Sequence, residues 1–306
     1  MSKALEISFL GRTFKNPIVT ASGTFNNGEN HKDFYDLHKL GGITTKGTSS
    51  EPQKGNPQPR MFETPSGVMN CIGLQNHGMK KFADKKDFIS ELNQDTPVIL
   101  NVYGKSADKY VEAVEMANEY DFFSAYEINI SCPNVDLGGA CLGLQASTAE
   151  EITKMIKAVA KKPVMMKLSP QARSIAEVAK ACEAGGADAI SLINTISAMA
   201  INVHTRRSRL SKNSAGLSGP AIHPIALRMV YKAAQAVDIP ILGMGGVYSW
   251  EDAAEFILAG ASCVGVGTLN LTDPSQILDV IDELEQWVSE QGVSNISELV
   301  GAYIEC

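Results

Sequence analysis

Eight short apolar runs, each giving way to Gly, Asn, Lys, Ser or Thr and most followed by a helical stretch, set the strongest constraint on how this chain folds. They are "NPIVTASG" (16–23), "GGITTKG" (41–47), "TPVILNVYG" (96–104), "AYEINISC" (125–132), "PVMMKLS" (163–169), "ADAISLINT" (187–195), "IPILGMGG" (239–246) and "SCVGVGT" (262–268). The helical stretches are clearest in "STAEEITKMIKAVAKK", "SIAEVAKACEAGG", "HPIALRMVYKAAQAV" and "SWEDAAEFILAGA". Ser147 or Thr148, Ser174 and Ser249 are placed to cap these helices, and Gly185 and Gly260 to stop them. Eight alternating β and α units without a composition break predict an α/β fold, a single (β/α)8 TIM barrel domain over residues 1–306, rather than a doubly wound sheet.

Two insertions interrupt this rhythm. Residues 48–80 follow the second strand and residues 196–220 the sixth, and both are longer than ordinary connections. With the glycine-rich loop after the fourth strand, they are expected over the mouth of the barrel, where lids and substrate loops belong. The leading "LEISFLGRTFKN" is expected to form a small hairpin closing the opposite end.

Bulk composition narrows the function classes. The chain is 44% hydrophobic and 20% charged, enough to bury a large core. Its net charge of −7 provides no basic field for nucleic acid or an anionic membrane surface, so an anionic ligand must be held by local groups. The opening "MSKALEISFLGRTFKN" does not read as a signal peptide, and no apolar run approaches the length of a membrane span. Six cysteines (Cys71, Cys132, Cys141, Cys182, Cys263, Cys306) are scattered without a CxxC pair, which argues against a disulfide framework or a metal site. The expectation is a reduced, cytoplasmic protein.

Barrel enzymes assemble their chemistry where strands end. Here the ends are Ser22, Lys46, Asn101, Asn129, Lys167, Asn194 with Thr195, Gly245 with Gly246, and Gly267 with Thr268. "GMGGV" and "GVGT" close strands seven and eight, the usual place for a phosphate, which bare backbone N–H groups can cradle. "GVGTLN" carries Asn270 where a dinucleotide fingerprint needs its third glycine, so dinucleotide binding is not inferred. A lone lysine is usually a solvated surface group, but Lys46 and Lys167 each follow an apolar strand at its catalytic end. A cation there stabilises negative charge developing on a flavin ring or holds an acidic substrate. The amides of Asn101, Asn129 and Asn194 donate and accept at once, which suits an amide-rich heterocycle; capping of turns is the plainer alternative.

Cys182 and Cys263, inside a helix and a strand, read as core packing. Cys71 sits in the long second loop, where packing is the first reading and lining a site the second. Cys132, within "NISCPNVDLGG", stands at the barrel mouth before a glycine-rich loop, as a nucleophile or a general base. His31, His38, His77, His204 and His223 show no paired spacing, which weakens a Cys–His acyl-transfer reading without excluding a distant histidine.

"ASGTF", "GNPQPR", "NCIGLQN", "NISCPN", "KLSP", "INT", "GLSGPAI", "GMGGV" and "VGVGT", in this order along essentially the whole chain, resemble dihydroorotate dehydrogenase. "NISCPNVDLGG", "KLSP" and "GLSGPAI" are most similar to the class 1B catalytic subunit. The resemblance implies oxidation of dihydroorotate to orotate in pyrimidine synthesis, with Cys132 as the base for the C5 proton and FMN as acceptor of the C6 hydride. It implies FMN binding by Ser22, Lys46, Gly47, Asn101, Asn129, Lys167, Ile193, Gly219, Gly245, Gly246, Gly267 and Thr268. Substrate binding is implied for Lys46, Asn70, Cys71, Ile72, Gly73, Leu74, Asn129, Asn194 and Thr195. It further implies a partner subunit carrying FAD and a 2Fe–2S cluster that passes electrons to NAD, in a heterotetramer of two catalytic and two electron-transfer chains. His77, Gly47 and Tyr103 depart from the family pattern, in which proline, alanine and a small residue are usual. A fumarate-linked class 1A enzyme, a dihydropyrimidine dehydrogenase-like subunit and, more distantly, a non-catalytic barrel serving assembly remain alternatives.

Overall fold

The computed structural model of the protein describes residues 3–131, 136–137, 140–141 and 143–305. Each of the eight apolar runs contains one strand: Ile18–Thr20, Gly42–Thr44, Val98–Val102, Ala125–Asn129, Val164–Lys167, Ala189–Leu192, Ile241–Met244 and Cys263–Val266. They pair in parallel in this order and close into a barrel, with Val264 of the last strand opposite Ile18 of the first. This is the (β/α)8 architecture.

The helices follow their local signals with two exceptions. Ser174 accepts from Glu177 N at the start of Ile175–Ala184, which Gly185 caps at its end. Ser249 and Asp252 form a reciprocal capping box at Trp250–Leu258. In the helix Ala146–Val159, however, the N-cap position falls on Gln145, whose side chain makes no capping hydrogen bond, rather than on Ser147 or Thr148. Thr148 is already inside the first turn, where its hydroxyl donates to Gln145 O at 3.1 Å. The first strand is followed by no α-helix, only by the 3-10 turn Leu37–Lys39, because "SGTFNNGENHKD" is rich in residues that favour turns.

Side chains alternate across the barrel wall with period two, which sorts its interior into layers. Val19, Ile99, Ala125, Met165, Ala189, Leu242 and Cys263 form an apolar layer with Ile7, Phe9, Leu10 and Phe14. The latter four belong to the expected hairpin, Ile7–Phe9 paired with Arg12–Phe14, which plugs the base of the barrel. Two residues further along four adjacent strands the layer turns polar, with Asn101, Glu127, Lys167 and Ser191.

Both long insertions fold above this layer, and they fold together. Met61–Thr64 and Gly67–Asn70 come from the first, Ile196–Ala198 and Ala215–Ser218 from the second. The four strands make one antiparallel sheet, with Met69 opposite Leu217 at the seam. Met69, Leu210 and Ala215 form its small apolar core. The loop after the fourth strand lies largely outside the described residues, as does Cys132.

Candidate active site

The polar strand ends and the inner face of this sheet enclose a cavity of about 980 Å³. Every strand-end residue named above except the undescribed Cys132 lines it: Ser22, Lys46, Asn101, Asn129, Lys167, Asn194, Thr195, Gly245, Gly246, Gly267 and Thr268. Gly47, Ile193 and Gly219 line it as well, and the long second loop contributes Asn70, Cys71, Ile72, Gly73 and Leu74. Residues from opposite ends of the chain therefore face one space. No histidine is among the described lining residues.

The cavity's electrostatics oppose those of the whole chain. Its described lining holds four lysines, Lys46, Lys105, Lys167 and Lys212, and no carboxylate, although the net charge is −7. Such a pocket concentrates anions at the mouth. Burial, followed by repulsion from the nearby Arg60, holds the Lys46 ammonium below the ordinary lysine pKa.

Lys167 is 3% exposed and donates to Ser22 Oγ at 3.0 Å. Beneath it lies Glu127, fully buried, with Oε2 3.8 Å from Lys167 Nζ. The Asn101 side-chain amide donates to the same carboxylate, and Ser191 Oγ donates to its other oxygen at 2.8 Å. One N–H of Asn101 Nδ2 is thereby committed, and Asn101 Oδ1 remains buried with no hydrogen-bond partner among the described residues. A Cβ on residue 47 would stand 2.8 Å from this oxygen, so the alanine usual in the family would require the Asn101 side chain to shift.

On the neighbouring strands, Tyr110 Oη donates to Asn129 O at 2.6 Å. Asn129 Oδ1 accepts from Ser131 Oγ, and Ser131 Oγ accepts from Asn194 Nδ2 at 2.6 Å. Asn194 Oδ1 in turn accepts from Thr195 N at 2.9 Å. Two amides expected to meet ligand are thus oriented through one serine. Cys71 lines the cavity at its edge, with Sγ 3.5 Å from Ser211 Oγ. Cys182 and Cys263 are core residues as expected; burial pushes the Cys182 thiol up to about 12 and raises that of Cys263 further.

At strands seven and eight the backbone is bare. Gly246, at φ +76°, packs so closely that an added Cβ would lie 2.8 Å from Gly219 O and His223 Cβ. Gly267 differs, because a Cβ there would meet only Ala21 Cβ, at 3.7 Å. Its missing side chain leaves room in the cavity rather than in the protein. Thr268 Oγ1 donates to Ser218 Oγ at 2.8 Å, joining the eighth strand to the sheet above.

A phosphorylated flavin fits this donor set. The glycine turns suit its phosphate, Lys167 suits a ring that gains negative charge, and the unpartnered Asn101 Oδ1 suits a ring or side-chain donor. Of the departures, Tyr103 is buried and lines the cavity, whereas His77 is exposed outside it.

Sequence reasoning missed Glu127, Ser131 and Ser218. A lone carboxylate at an alternating position in "AYEINIS" was a legible signal for the first; Ser218 offered none. Among the described residues no group of His, Cys, Asp or Glu is arranged to hold a metal, and no helix is long and apolar enough to cross a membrane.

Comparison with known proteins places this geometry in a family. A family model described as dihydroorotate dehydrogenase matches residues 4–288. A protein of Alkaliphilus metalliredigens named dihydroorotate dehydrogenase B (NAD(+)), catalytic subunit, is 46% identical over 299 residues, spanning 97% of this chain and 98% of that protein. Proteins of the same name from Lachnoclostridium phytofermentans and Geotalea uraniireducens are 48% identical over 296 residues and 45% over 301, covering 96% and 98% of this chain and 98% of each relative. The chain belongs to the dihydroorotate dehydrogenase family.

Proposed function

We propose that this chain is the catalytic subunit of an NAD-linked dihydroorotate dehydrogenase, oxidising (S)-dihydroorotate to orotate on the route to UMP, with residues 1–306 acting as one FMN-binding catalytic domain. The observation that carries the proposal is the convergence of strand-end and loop residues on one cavity whose described lining holds four lysines and no carboxylate. Its expected ligands, an acidic dihydropyrimidine and a flavin phosphate, are both anions.

Bound FMN supplies the acceptor for the hydride that leaves C6 of the substrate. Ser22, Lys46, Gly47, Asn101, Asn129, Lys167, Ile193, Gly219, Gly245, Gly246, Gly267 and Thr268 hold the cofactor. Lys46, the segment 70–74, Asn129, Asn194 and Thr195 hold the substrate, their amides matching its alternating N–H and C=O groups. The Cys132 thiolate takes the C5 proton, which the adjacent carbonyl acidifies, so the electron pair left on C5 forms the new double bond as hydride departs from C6. Lys167, pinned by Ser22 and Glu127, places positive charge where the cofactor gains electrons.

A partner subunit carrying FAD and a 2Fe–2S cluster would supply the link to NAD, in a cytoplasmic complex of two catalytic and two electron-transfer chains. The names of the relatives, a catalytic subunit linked to NAD(+), support the NAD link and a separate partner subunit. Cys132→Ala tests the mechanism. It is expected to retain FMN while dihydroorotate reduces the flavin at least 100-fold more slowly at neutral pH, the contribution of a positioned base. A wild-type reduction rate would remove Cys132 from the reaction, and activity on dihydrouracil with none on dihydroorotate would remove the substrate assignment.

A further inference from the structure

Glu127 is the only buried carboxylate among the described residues, and it does not itself line the cavity. An ionised carboxylate is tolerated in such a place only when it is paired and hydrogen-bonded. Its partners supply both: Lys167 Nζ at 3.8 Å and Asn101 Nδ2 on one oxygen, Ser191 Oγ at 2.8 Å on the other. Two of these, Lys167 and Asn101, face the cavity.

We infer that Glu127 is a positioning residue which, through Lys167 and Asn101, holds down the reduction potential of the bound flavin. This rests on the proposed function. A cation beside a ligand favours the ligand's more negative, reduced form and so raises its potential. A carboxylate 3.8 Å behind that cation, within the same low-dielectric layer, offsets part of the effect. The cofactor stays strongly reducing, as it must to pass electrons toward an acceptor as reducing as NAD. The same carboxylate binds Asn101 Nδ2 and leaves Asn101 Oδ1 bare beside Gly47, so acceptor and cation are held in place by one buried group.

The test is the midpoint potential of the FMN-loaded full chain. Glu127→Gln is isosteric; its carbonyl can face Asn101 and Lys167 while its amide donates to a rotated Ser191 hydroxyl. FMN content is expected to match wild type, with the ratio of reduced to oxidised flavin at fixed ambient potential rising at least tenfold, about 30 mV for a two-electron couple. In a Lys167→Met background the same substitution is expected to do little, because the carboxylate then has no cation to offset. An unchanged potential, or equal shifts in both backgrounds, would overturn the inference. Should Glu127→Gln bind FMN too weakly to titrate, Glu127→Asp carries the decision: it keeps the charge and should keep the wild-type potential, and a rise there sinks the idea. A wild-type chain that takes up no FMN fails the proposed function instead.

Discussion

Asn194 donates its side-chain amide to Ser131 Oγ across 2.6 Å, and Ser131 donates in turn to Asn129 Oδ1. The relay spans the fifth strand and joins two amides assigned to substrate. Ser131 therefore fixes which face of each amide is offered to a ligand. Ser131→Ala is expected to raise the KM for dihydroorotate about 5- to 30-fold, the loss of one or two net hydrogen bonds of about 1 kcal/mol each, with FMN content unchanged. Steady-state kinetics on the FMN-saturated protein provide the check, and a KM within twofold of wild type would leave the relay without a role in binding.

Lys46 supplies a pH dependence. Burial and then Arg60 lower its pKa below 10.5, so in the folded chain it loses its proton earlier than an ordinary lysine. Between the folded and unfolded values the unfolded chain binds more protons, and stability rises with pH across that window. Affinity for an anionic ligand runs the other way, falling as Lys46 neutralises. Arg60→Gln removes the like charge and is expected to move this fall to higher pH. Orotate titrations followed by flavin absorbance from pH 7 to 10 compare the two proteins; the ligand is common to both, so their difference isolates the lysine. Superimposable curves would contradict the assignment.

Two glycines of the turns after strands seven and eight separate backbone strain from ligand space. Gly246→Ala forces a side chain into the left-handed region and onto Gly219 O, at an expected cost of about 1–3 kcal/mol for the backbone alone. Gly267→Ala meets ordinary contact distance and should melt with the wild-type apo protein, yet lose FMN affinity tenfold or more. Thermal melts and flavin-fluorescence titrations of both variants test the contrast, which fails if Gly267→Ala binds FMN normally.

At the base of the barrel Phe9 and Phe14 meet edge to face with ring centroids 5.5 Å apart, both essentially buried. Phe14→Ala is expected to destabilise by about 3–5 kcal/mol while leaving kcat at a permissive temperature within twofold of wild type. Denaturant unfolding measures the first and turnover the second. A loss below about 1 kcal/mol would mean that the hairpin is an ornament rather than a plug.

Much of this was legible in the chain. All eight strands fell within runs recognised by their apolar pattern, and Ser174 and Ser249 were read as caps because a cap needs only its own first turn. That the residues closing those strands, from Ser22 to Thr268, would face one cavity was legible because closure of a parallel barrel brings every strand end to one mouth. The N-cap position fell on Gln145 rather than Ser147 or Thr148, a shift of two or three residues of the kind that local propensity does not resolve.

What pattern could not supply was partnership. Nothing near Glu127 in sequence reveals that Asn101, Lys167 and Ser191 from three other strands will satisfy it, and nothing in residues 61–70 announces pairing with residues 196–218. The sequence by itself determined the barrel, its mouth and the chemical types gathered there, because hydrophobic periodicity and strand-end polarity act among near neighbours. The tertiary structure alone decided which lysine is paired, which amide oxygen stays bare and which glycine leaves room for a ligand, because Coulomb pairing and hydrogen-bond satisfaction depend on distance in space rather than along the chain.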